Sequence, residues 1–239
     1  MRSRLRIHSL DPSTQEHSSV VTKLGIVHTS ATLVPVFSDL LRPFGASVTS
    51  FNIVDDSLIK DVIAQGSLTP PIAARVVDQV ALAERAGADA ILVTCSSIGE
   101  AVELAARLCR VPVVRVDQAM ADRAVAIGGR IGVLATLPTT LGPTEDLVRR
   151  RADRAGRSVA VNAQVCLGAF EALMAGDAAA HDAMVGAALQ TMIRESDVVL
   201  LAQASMARVA EGLAVGDTAV PVLASPPLAV ASLAAMYGW

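Results

Sequence analysis

The feature that most constrains this fold is an internal repeat that divides the chain into two similar parts. Three landmarks recur in the same order at offsets of 107, 108 and 109 positions: Gly25 and Gly132, Asp89 and Asp197, and Val111 and Val220. An ordered set of matches at nearly constant offset is not expected between unrelated segments. The repeat therefore predicts two α/β halves, each of about 100 residues by the usual scale of small domains, related by a pseudo-twofold axis.

Within each half, short apolar runs alternate with longer stretches that have helical periodicity. The runs predicted to be strands are residues 23–28, 46–53, 89–94, 111–114, 130–135, 157–164, 197–202 and 219–223. Alternation of this kind indicates βαβ units and a parallel sheet. The predicted fold class is α/β, with two pseudosymmetric flavodoxin-like halves. Each half has a parallel sheet flanked by helices, and the active site lies in the cleft between the halves.

The repeat also sets the predicted domain boundaries. Residues 1–21 form a polar arm, residues 22–117 the first half and residues 118–239 the second half. The last helix of the second half is placed to pack on the first half.

The composition excludes several classes of protein. The chain has 239 residues, of which 52% are hydrophobic and only 18% charged, with a mean hydropathy of +0.50. This composition favours a large buried core and argues against disorder. Aromatic residues are 3% and the net charge is −3, so the platforms and basic surface typical of nucleic-acid binding are not expected. The basic run at residues 149–154 is predicted to be a solvated helix face.

Two segments that could be mistaken for targeting or membrane signals have simpler interpretations. The arginines at the start of the chain are not followed by an apolar stretch, which argues against a signal peptide. Residues 218–239 carry no charge, but Pro221, Pro226 and Pro227 would interrupt a spanning helix. The chain is thus expected to be a cytoplasmic protein with no membrane partner, and its three cysteines are expected to be thiols.

Cys95 is the strongest candidate for chemistry. It follows a predicted strand and precedes Ser96, Ser97 and a helix. In parallel sheets ligands bind beyond the carboxyl ends of strands, and a thiol at a helix N-terminus has a lowered pKa that favours thiolate. The other two cysteines, Cys109 and Cys166, are predicted to be packing residues. His181, in an alanine-rich helical segment, is predicted to lie at the surface.

Three motifs resemble the aspartate/glutamate/hydantoin racemase superfamily over residues 22–235. They are residues 94–97 (Thr-Cys-Ser-Ser), the threonine-rich residues 132–140, and residues 55–58 (Asp-Asp-Ser-Leu). The resemblance implies that two strand-end thiols face each other, one removing the α-proton of the substrate and the other returning a proton to the opposite face. It also implies that no metal, pyridoxal phosphate or nucleotide cofactor is used, that the threonine-rich loop holds the substrate carboxylate, and that the protein forms a homo-oligomer.

The chain departs from this pattern at Gln203, which stands where the second thiol is expected. An amide neither donates nor accepts protons as an acid or base near neutral pH. The resemblance favours racemase or isomerase chemistry, with Cys95 transferring the proton at the α-carbon of a small carboxylate-bearing substrate. His28, at the end of the first strand, is the candidate to replace the missing thiol.

Other chemistries with one thiol stay open. Cys95 can protonate the enediolate left by a decarboxylation, as in the arylmalonate decarboxylases of the superfamily, although their cysteine is in the second half. It can also add to a carbon–carbon double bond, as in maleate isomerases. A non-catalytic module that binds small acids is the alternative of another class.

The candidate residues follow from these patterns. The candidate catalytic residues are Cys95 and Gln203. The candidate substrate-binding residues are His28, Thr29, Asn52, Ser96, Ser97, Thr136, Thr139, Thr140, Ala204 and Ser205.

Overall fold

The computed structural model of the protein describes residues 21–212 and 219–239. The polar arm predicted for residues 1–21 lies outside the described residues except for its last one. The strands are β1 (Thr22–His28), β2 (Val48–Val54), β3 (Ala90–Val93), β4 (Val113–Arg115), β5 (Arg130–Ala135), β6 (Ala160–Val165), β7 (Val198–Leu201) and β8 (Val222–Ala224). The helices are α1 (Leu33–Leu41), α2 (Ser57–Gln65), α3 (Pro70–Arg85), α4 (Gly99–Ala106), α5 (Gln118–Ile127), α6 (Pro138–Arg154), α7 (Ala169–Met174), α8 (Ala178–Ile193), α9 (Ala207–Gly212) and α10 (Ser225–Tyr237). Single helical turns at Arg42–Phe44, Ser96–Ile98 and Ala204–Met206 complete the order.

The strands form two four-stranded parallel sheets with the same strand order. The order is β2-β1-β3-β4 in the first half and β6-β5-β7-β8 in the second. The predicted α/β class, with two pseudosymmetric halves that each contain a parallel sheet, is thus confirmed. The predicted strands are displaced by one to three residues at several ends. For example, the second strand begins at Val48 because the preceding residues belong to a turn.

The landmarks of the repeat make the same contacts in both halves. The carboxylate of Asp89 accepts a hydrogen bond from the backbone N–H of Lys23 at 2.7 Å, and its N–H donates to the carbonyl of Lys23. In the second half, Asp197 makes the same pair of contacts with Arg130, its carboxylate accepting at 2.9 Å. Each aspartate ties the start of one central strand to the start of the next. The sequence repeat is therefore a repeat of structure.

Close packing explains the glycine landmark of the repeat. A Cβ added to Gly25 would lie 3.1 Å from the side chains of Ala88 and Phe51, and one added to Gly132 would lie 2.6 Å from Met192. Both glycines sit in central strands against which other side chains pack closely. A larger residue would push α3 away from the first sheet at Gly25, and α8 away from the second sheet at Gly132.

The core lies on both faces of each sheet, and α10 joins the two halves. Ala229, Val230 and Leu233 of α10 are buried in one cluster with Leu24 and Phe37 of the first half. The C-terminal Trp239 donates from its indole N–H to the hydroxyl of Thr22 at 3.1 Å. The end of the second half thus covers an apolar face of the first sheet.

The prediction that His181 lies at the surface is wrong. Its side chain in α8 is fully buried, and its Nδ1 lies 2.7 Å from a carboxylate oxygen of Asp182. Arg208 of α9 pairs with the same carboxylate, which brings α9 against the start of α8. The sequence periodicity of α8 could not predict the burial of His181, because the burial is due to contacts with α7 and α9.

No helix within residues 21–212 or 219–239 combines the length and the apolar character needed to cross a bilayer. The uncharged segment near the C-terminus forms β8 and α10, and Pro226 and Pro227 occupy the first turn of α10. Proline is tolerated there because those N–H groups have no partner within the helix.

The landmark contact of Asp197 provides a test of the fold. A Cβ at Gly128 would lie 2.4 Å from the Cβ of Asp197, whereas nothing lies within 4 Å of a Cβ at the adjacent Gly129. We expect Gly128→Ala to lower the free energy of unfolding by about 1–3 kcal/mol, since it forces Asp197 away from the strand. Gly129→Ala is the matched control and is expected to change stability by less than about 0.5 kcal/mol. Urea denaturation measures both, and equal losses would contradict the packing described.

Candidate active site

The carboxyl ends of the central strands from the two halves meet at one place. The turn Ser96–Ile98, which follows β3, contacts the start of α6, which follows β5. The hydroxyls of Ser97 and Thr140 lie 2.8 Å apart, and both side chains are buried. A hydrogen bond therefore spans the two halves at the bottom of the predicted cleft.

Cys95 lies at this junction as the residue before the turn Ser96–Ile98. Its extended backbone, with φ −130° and ψ 118°, carries the chain directly from β3 into the turn. The backbone N–H groups of Ser97 and Ile98 and the hydroxyls of Thr29 and Ser97 are placed to donate to its sulfur. These donors are the features that the sequence predicted for a reactive thiol.

The expected direction of the Cys95 pKa is nevertheless wrong. Burial raises the pKa of the thiol, and this effect outweighs the donors from Thr29, Ser97 and Ile98, which lower it. The helix N-terminus is a local feature that sequence reveals, whereas desolvation depends on what packs around the sulfur, which includes the apolar cluster of the first half. The raised pKa favours the protonated form of the thiol.

Gln203 occupies the equivalent position after β7, and its amide has a fixed orientation. Its Oε1 accepts hydrogen bonds from the backbone N–H of Thr136 and, at 3.0 Å, from the hydroxyl of Thr136. A backbone N–H can only donate, so the atom facing it must be the oxygen and not the amide nitrogen. The NH₂ group is left with no hydrogen-bond partner among the described residues, and its two N–H donors are free for a ligand.

The threonine-rich loop adds further polar groups at the start of α6. Thr136 and Thr140 are each only 3% exposed, and the hydroxyl of Thr139 is buried without a partner among the described residues. A buried hydroxyl without a hydrogen-bond partner costs free energy unless a ligand or a water molecule forms a hydrogen bond with it. Thr139 and the amide of Gln203 are thus two unused polar groups from neighbouring segments of the second half.

His28 and Asn52 are brought together, but His28 does not offer a nitrogen to a substrate. The ring is completely buried, with Nδ1 2.9 Å from the hydroxyl of Thr94 and Nε2 2.8 Å from Oδ1 of Asn52. It also packs at a tilt against Phe37, and burial lowers its pKa. His28 is therefore a neutral residue that connects β1 to β2 and β3. The hypothesis that it replaces the second thiol is not supported by this arrangement.

The remaining candidates line the two turns that follow β3 and β7. Ser96 is buried in the first turn, and Ala204 and Ser205 are partly buried in the second. By position in the repeat, Ala204 corresponds to Ser96 and Ser205 to Ser97. The second turn therefore lacks one of the hydroxyls of the first.

A buried ion-pair network lies beside the start of α4, the helix that follows Cys95, and was not predicted from the sequence. Arg115, at the end of β4, is 3% exposed and forms two hydrogen bonds to Asp117, at 2.9 and 2.8 Å. It also donates to Glu103 at 2.6 Å, and its guanidinium fills the space beside Gly99 at the start of α4. The signal was two charged residues at the end of an apolar strand. Asp117 stands at the N-cap position of α5, but its side chain forms no cap hydrogen bond.

No group of three or more histidine, cysteine, aspartate or glutamate side chains in the described part of the chain could hold a metal ion. The polar groups at the junction are mainly hydroxyls, amides and one thiol. Such groups suit an organic anion better than a divalent cation.

Comparison with known proteins identifies the class to which this fold and site belong. The family model described as Asp/Glu/Hydantoin racemase matches residues 24–233, and the chain belongs to this family. No curated protein sequence matches it significantly.

Solved structures share its fold at low sequence identity. Aspartate racemase from Picrophilus torridus superimposes with a TM-score of 0.70 at 13% identity, over 91% of this chain and 94% of that one. Allantoin racemase from Klebsiella pneumoniae gives 0.66 at 17%, over 91% and 88%. A mutant arylmalonate decarboxylase in a sulfate-associated form gives 0.56 at 16%, over 90% and 93%.

The state of Cys95 can be tested by alkylation. Because its pKa is raised, the rate of modification by iodoacetamide should rise about tenfold per pH unit between about pH 7 and 9, without levelling off. Thr29→Ala should slow the reaction further, since it removes a donor to the thiolate. Peptide mass spectrometry separates Cys95 from Cys109 and Cys166. A plateau near neutral pH would show that the thiol is already ionised.

Proposed function

We propose that the chain is a cofactor-independent enzyme of the racemase type that transfers a proton at the α-carbon of a small carboxylate-bearing substrate through Cys95. The observation that carries this proposal is the orientation of Gln203, whose free NH₂ group takes the place of a second thiol. Cys95 is then the proton-transfer group and Gln203 a hydrogen-bond donor to a substrate oxygen. An amino acid, a hydantoin or a related acid has the required chemistry.

The unused donors of the second half support a subsite for the carboxylate. Among the described residues the buried hydroxyl of Thr139 and the amide N–H groups of Gln203 have no hydrogen-bond partner, and a carboxylate supplies acceptors only. The start of α6 adds the positive end of a helix dipole, which favours an anion. A substrate held by these groups turns its α-carbon toward the first half, where Cys95 lies.

The direction of the Cys95 pKa fits a thiol that gives a proton. The thiolate form of Cys95 first takes the α-proton, so that the S–H bond forms and the electron pair of the broken C–H bond passes into the substrate carboxylate as an enediolate. The thiol then gives a proton back to the α-carbon, the C–H bond forms again, and the thiolate is left beside Ser97 and Ile98. Their N–H groups and the hydroxyl of Thr29 stabilise that thiolate. Both steps occur on one face of the substrate.

A decarboxylase is the second candidate, and the raised pKa of the Cys95 thiol, which suits a group that gives a proton, supports it. In this reaction the bond to one carboxylate breaks, carbon dioxide leaves, and its electron pair forms an enediolate. The thiol then protonates the enediolate, and water restores the thiol. This reaction needs one proton donor and no second base, so the presence of Gln203 is no obstacle. The structural likeness to arylmalonate decarboxylase concerns the fold alone.

The wider setting follows the same proposal. We expect the protein to act in the cytoplasm on a free small molecule, as a homo-oligomer, and without nucleic acid or membrane as partners.

Deuterium exchange in D₂O tests the proposed function. A panel of α-substituted acids, hydantoins and arylmalonates is followed by NMR for deuterium at the α-carbon and for carbon dioxide release. We expect one of the two signals, and Cys95→Ser should lower it by about 10²–10⁴-fold, the usual contribution of an acid–base group. Cys109→Ser is the control and should keep full activity, since Cys109 lies beyond the end of α4. Undiminished turnover in Cys95→Ser would exclude the proposed mechanism. No turnover of any compound that the protein binds would favour a non-catalytic module.

A second thiol at position 203 provides a separate test. If the missing thiol is what limits proton transfer to one face, Gln203→Cys should racemise a substrate that the natural protein exchanges with retention. Chiral chromatography measures the enantiomer ratio. Gln203→Asn is the control that keeps an amide, and it should not racemise. Equal racemisation by the natural protein and Gln203→Cys would mean that another acid already serves the second face.

A further inference from the structure

An arginine-lined cavity lies between α4 of the first half and α6 of the second, away from the Cys95 junction along the same two helices. Its volume is about 250 Å³. Its charged side chains are Arg107, Arg115, Arg150, Arg151, Arg154 and Glu103. The basic run predicted to be a solvated helix face therefore borders a cavity. A second cavity shares Arg151 and Arg154 and extends the basic surface along the side of α6.

Most of these charges are already paired within the protein. Arg115 pairs with Asp117 and Glu103, and Arg150 forms two hydrogen bonds to the same Glu103. Arg151 pairs with Asp122, which lies on α5. These three arginines are therefore balanced by three carboxylates, and by themselves they leave no charge for a ligand.

Arg107 and Arg154 are different. Within residues 21–212 and 219–239 neither makes an ion pair or a side-chain hydrogen bond, although both border the cavity. Arg107 follows the end of α4, and Arg154 is the last residue of α6, so they approach the cavity from opposite halves. Both residues are exposed to solvent where they border the cavity, so their unpaired guanidinium groups are accessible to an anion that enters it.

We propose that this cavity binds a small phosphate-bearing molecule that joins the two halves through Arg107 and Arg154. A phosphate dianion matches the two unpaired charges, and guanidinium groups bind its oxygens in a bidentate manner. Its tetrahedral oxygens accept hydrogen bonds from donors on both sides of the cavity, whereas a single carboxylate is planar and carries one charge.

Binding here also acts on the Cys95 junction. Helix α4 begins just after Cys95, and α6 begins in the threonine-rich loop. The two helices are connected at their starts by Ser97 and Thr140 and further along by Glu103 and Arg150. An anion near their far ends fixes them at a third point. The bound anion thus restricts the opening of the two halves and regulates access to the site.

Calorimetric titration of the full chain with inorganic phosphate and with pyrophosphate tests the site, at constant ionic strength to remove general screening. We expect saturable binding, weakened roughly tenfold by Arg107→Gln or Arg154→Gln and more by the double variant, in line with lost charge-assisted hydrogen bonds. Arg149→Gln is the matched control. Arg149 lies on the same helix but pairs with Glu145 outside the cavity, and its loss should leave the affinity unchanged.

Four results would overturn the proposal. They are no saturable binding, equal affinity in the double variant, equal weakening in Arg149→Gln, and tighter binding of succinate than of pyrophosphate. The last would indicate a dicarboxylate site. The variant Arg107→Lys/Arg154→Lys keeps both charges without the planar groups and should bind with intermediate affinity. This variant is the control that separates a loss of binding caused by the missing guanidinium groups from a loss caused by misfolding.

Backbone hydrogen exchange tests the link to the Cys95 junction. Pyrophosphate should slow exchange in residues 96–98 and 138–141 of the natural protein but not of the double variant. Binding without this protection would refute the regulatory part. Neither measurement needs a substrate, so a failure here leaves the proposed function untouched.

Discussion

The packing of α10 against the first half is the contact on which the arrangement of the site depends. Each half has a sheet whose strand ends point to one edge, but a cleft forms only if the two edges are held together. Val230 and Leu233 are buried against Leu24 and Phe37. Burial of such side chains contributes about 25 cal/mol per Å² of apolar surface, so this contact outweighs any single polar contact at the junction. The hydrogen bond between Ser97 and Thr140 can select a register only because α10 already holds the halves close.

The fold and the place of the thiol could be predicted from sequence because their signals are local or periodic. The repeat of Gly25 and Asp89 at Gly132 and Asp197 is visible in the letters, and both pairs make equivalent contacts in the structure. Cys95 followed by serine residues marks a strand end before a helix. These inferences need only the alternation of elements and the rule that parallel strands end at the same edge.

The properties that failed to follow from sequence all depend on what covers a residue. Burial raises the pKa of the Cys95 thiol, although the sequence shows only its place before a helix. His28 stands at the end of a strand as expected, yet Asn52 and Thr94 from the neighbouring strands occupy both its nitrogens. The arginines of α6 are mostly exposed, as the sequence predicts, but their spacing does not reveal that Glu103 of α4 pairs with Arg150. A sequence pattern predicts which face of a helix or strand is apolar, but it does not predict which other element packs against that face.

The exchange of a thiol for an amide at Gln203 gives the two halves different chemical roles while their backbones stay equivalent. A thiol at both strand ends would make either face of a substrate reactive and either orientation productive. With Gln203 held by Thr136, the second half offers donors only, and an acceptor-rich carboxylate is drawn to that side. The α-carbon then faces Cys95, the group in the first half that can give a proton. The difference at this one residue thereby fixes the orientation of the substrate. A fixed orientation favours a reaction in which the proton must reach only one face of the substrate.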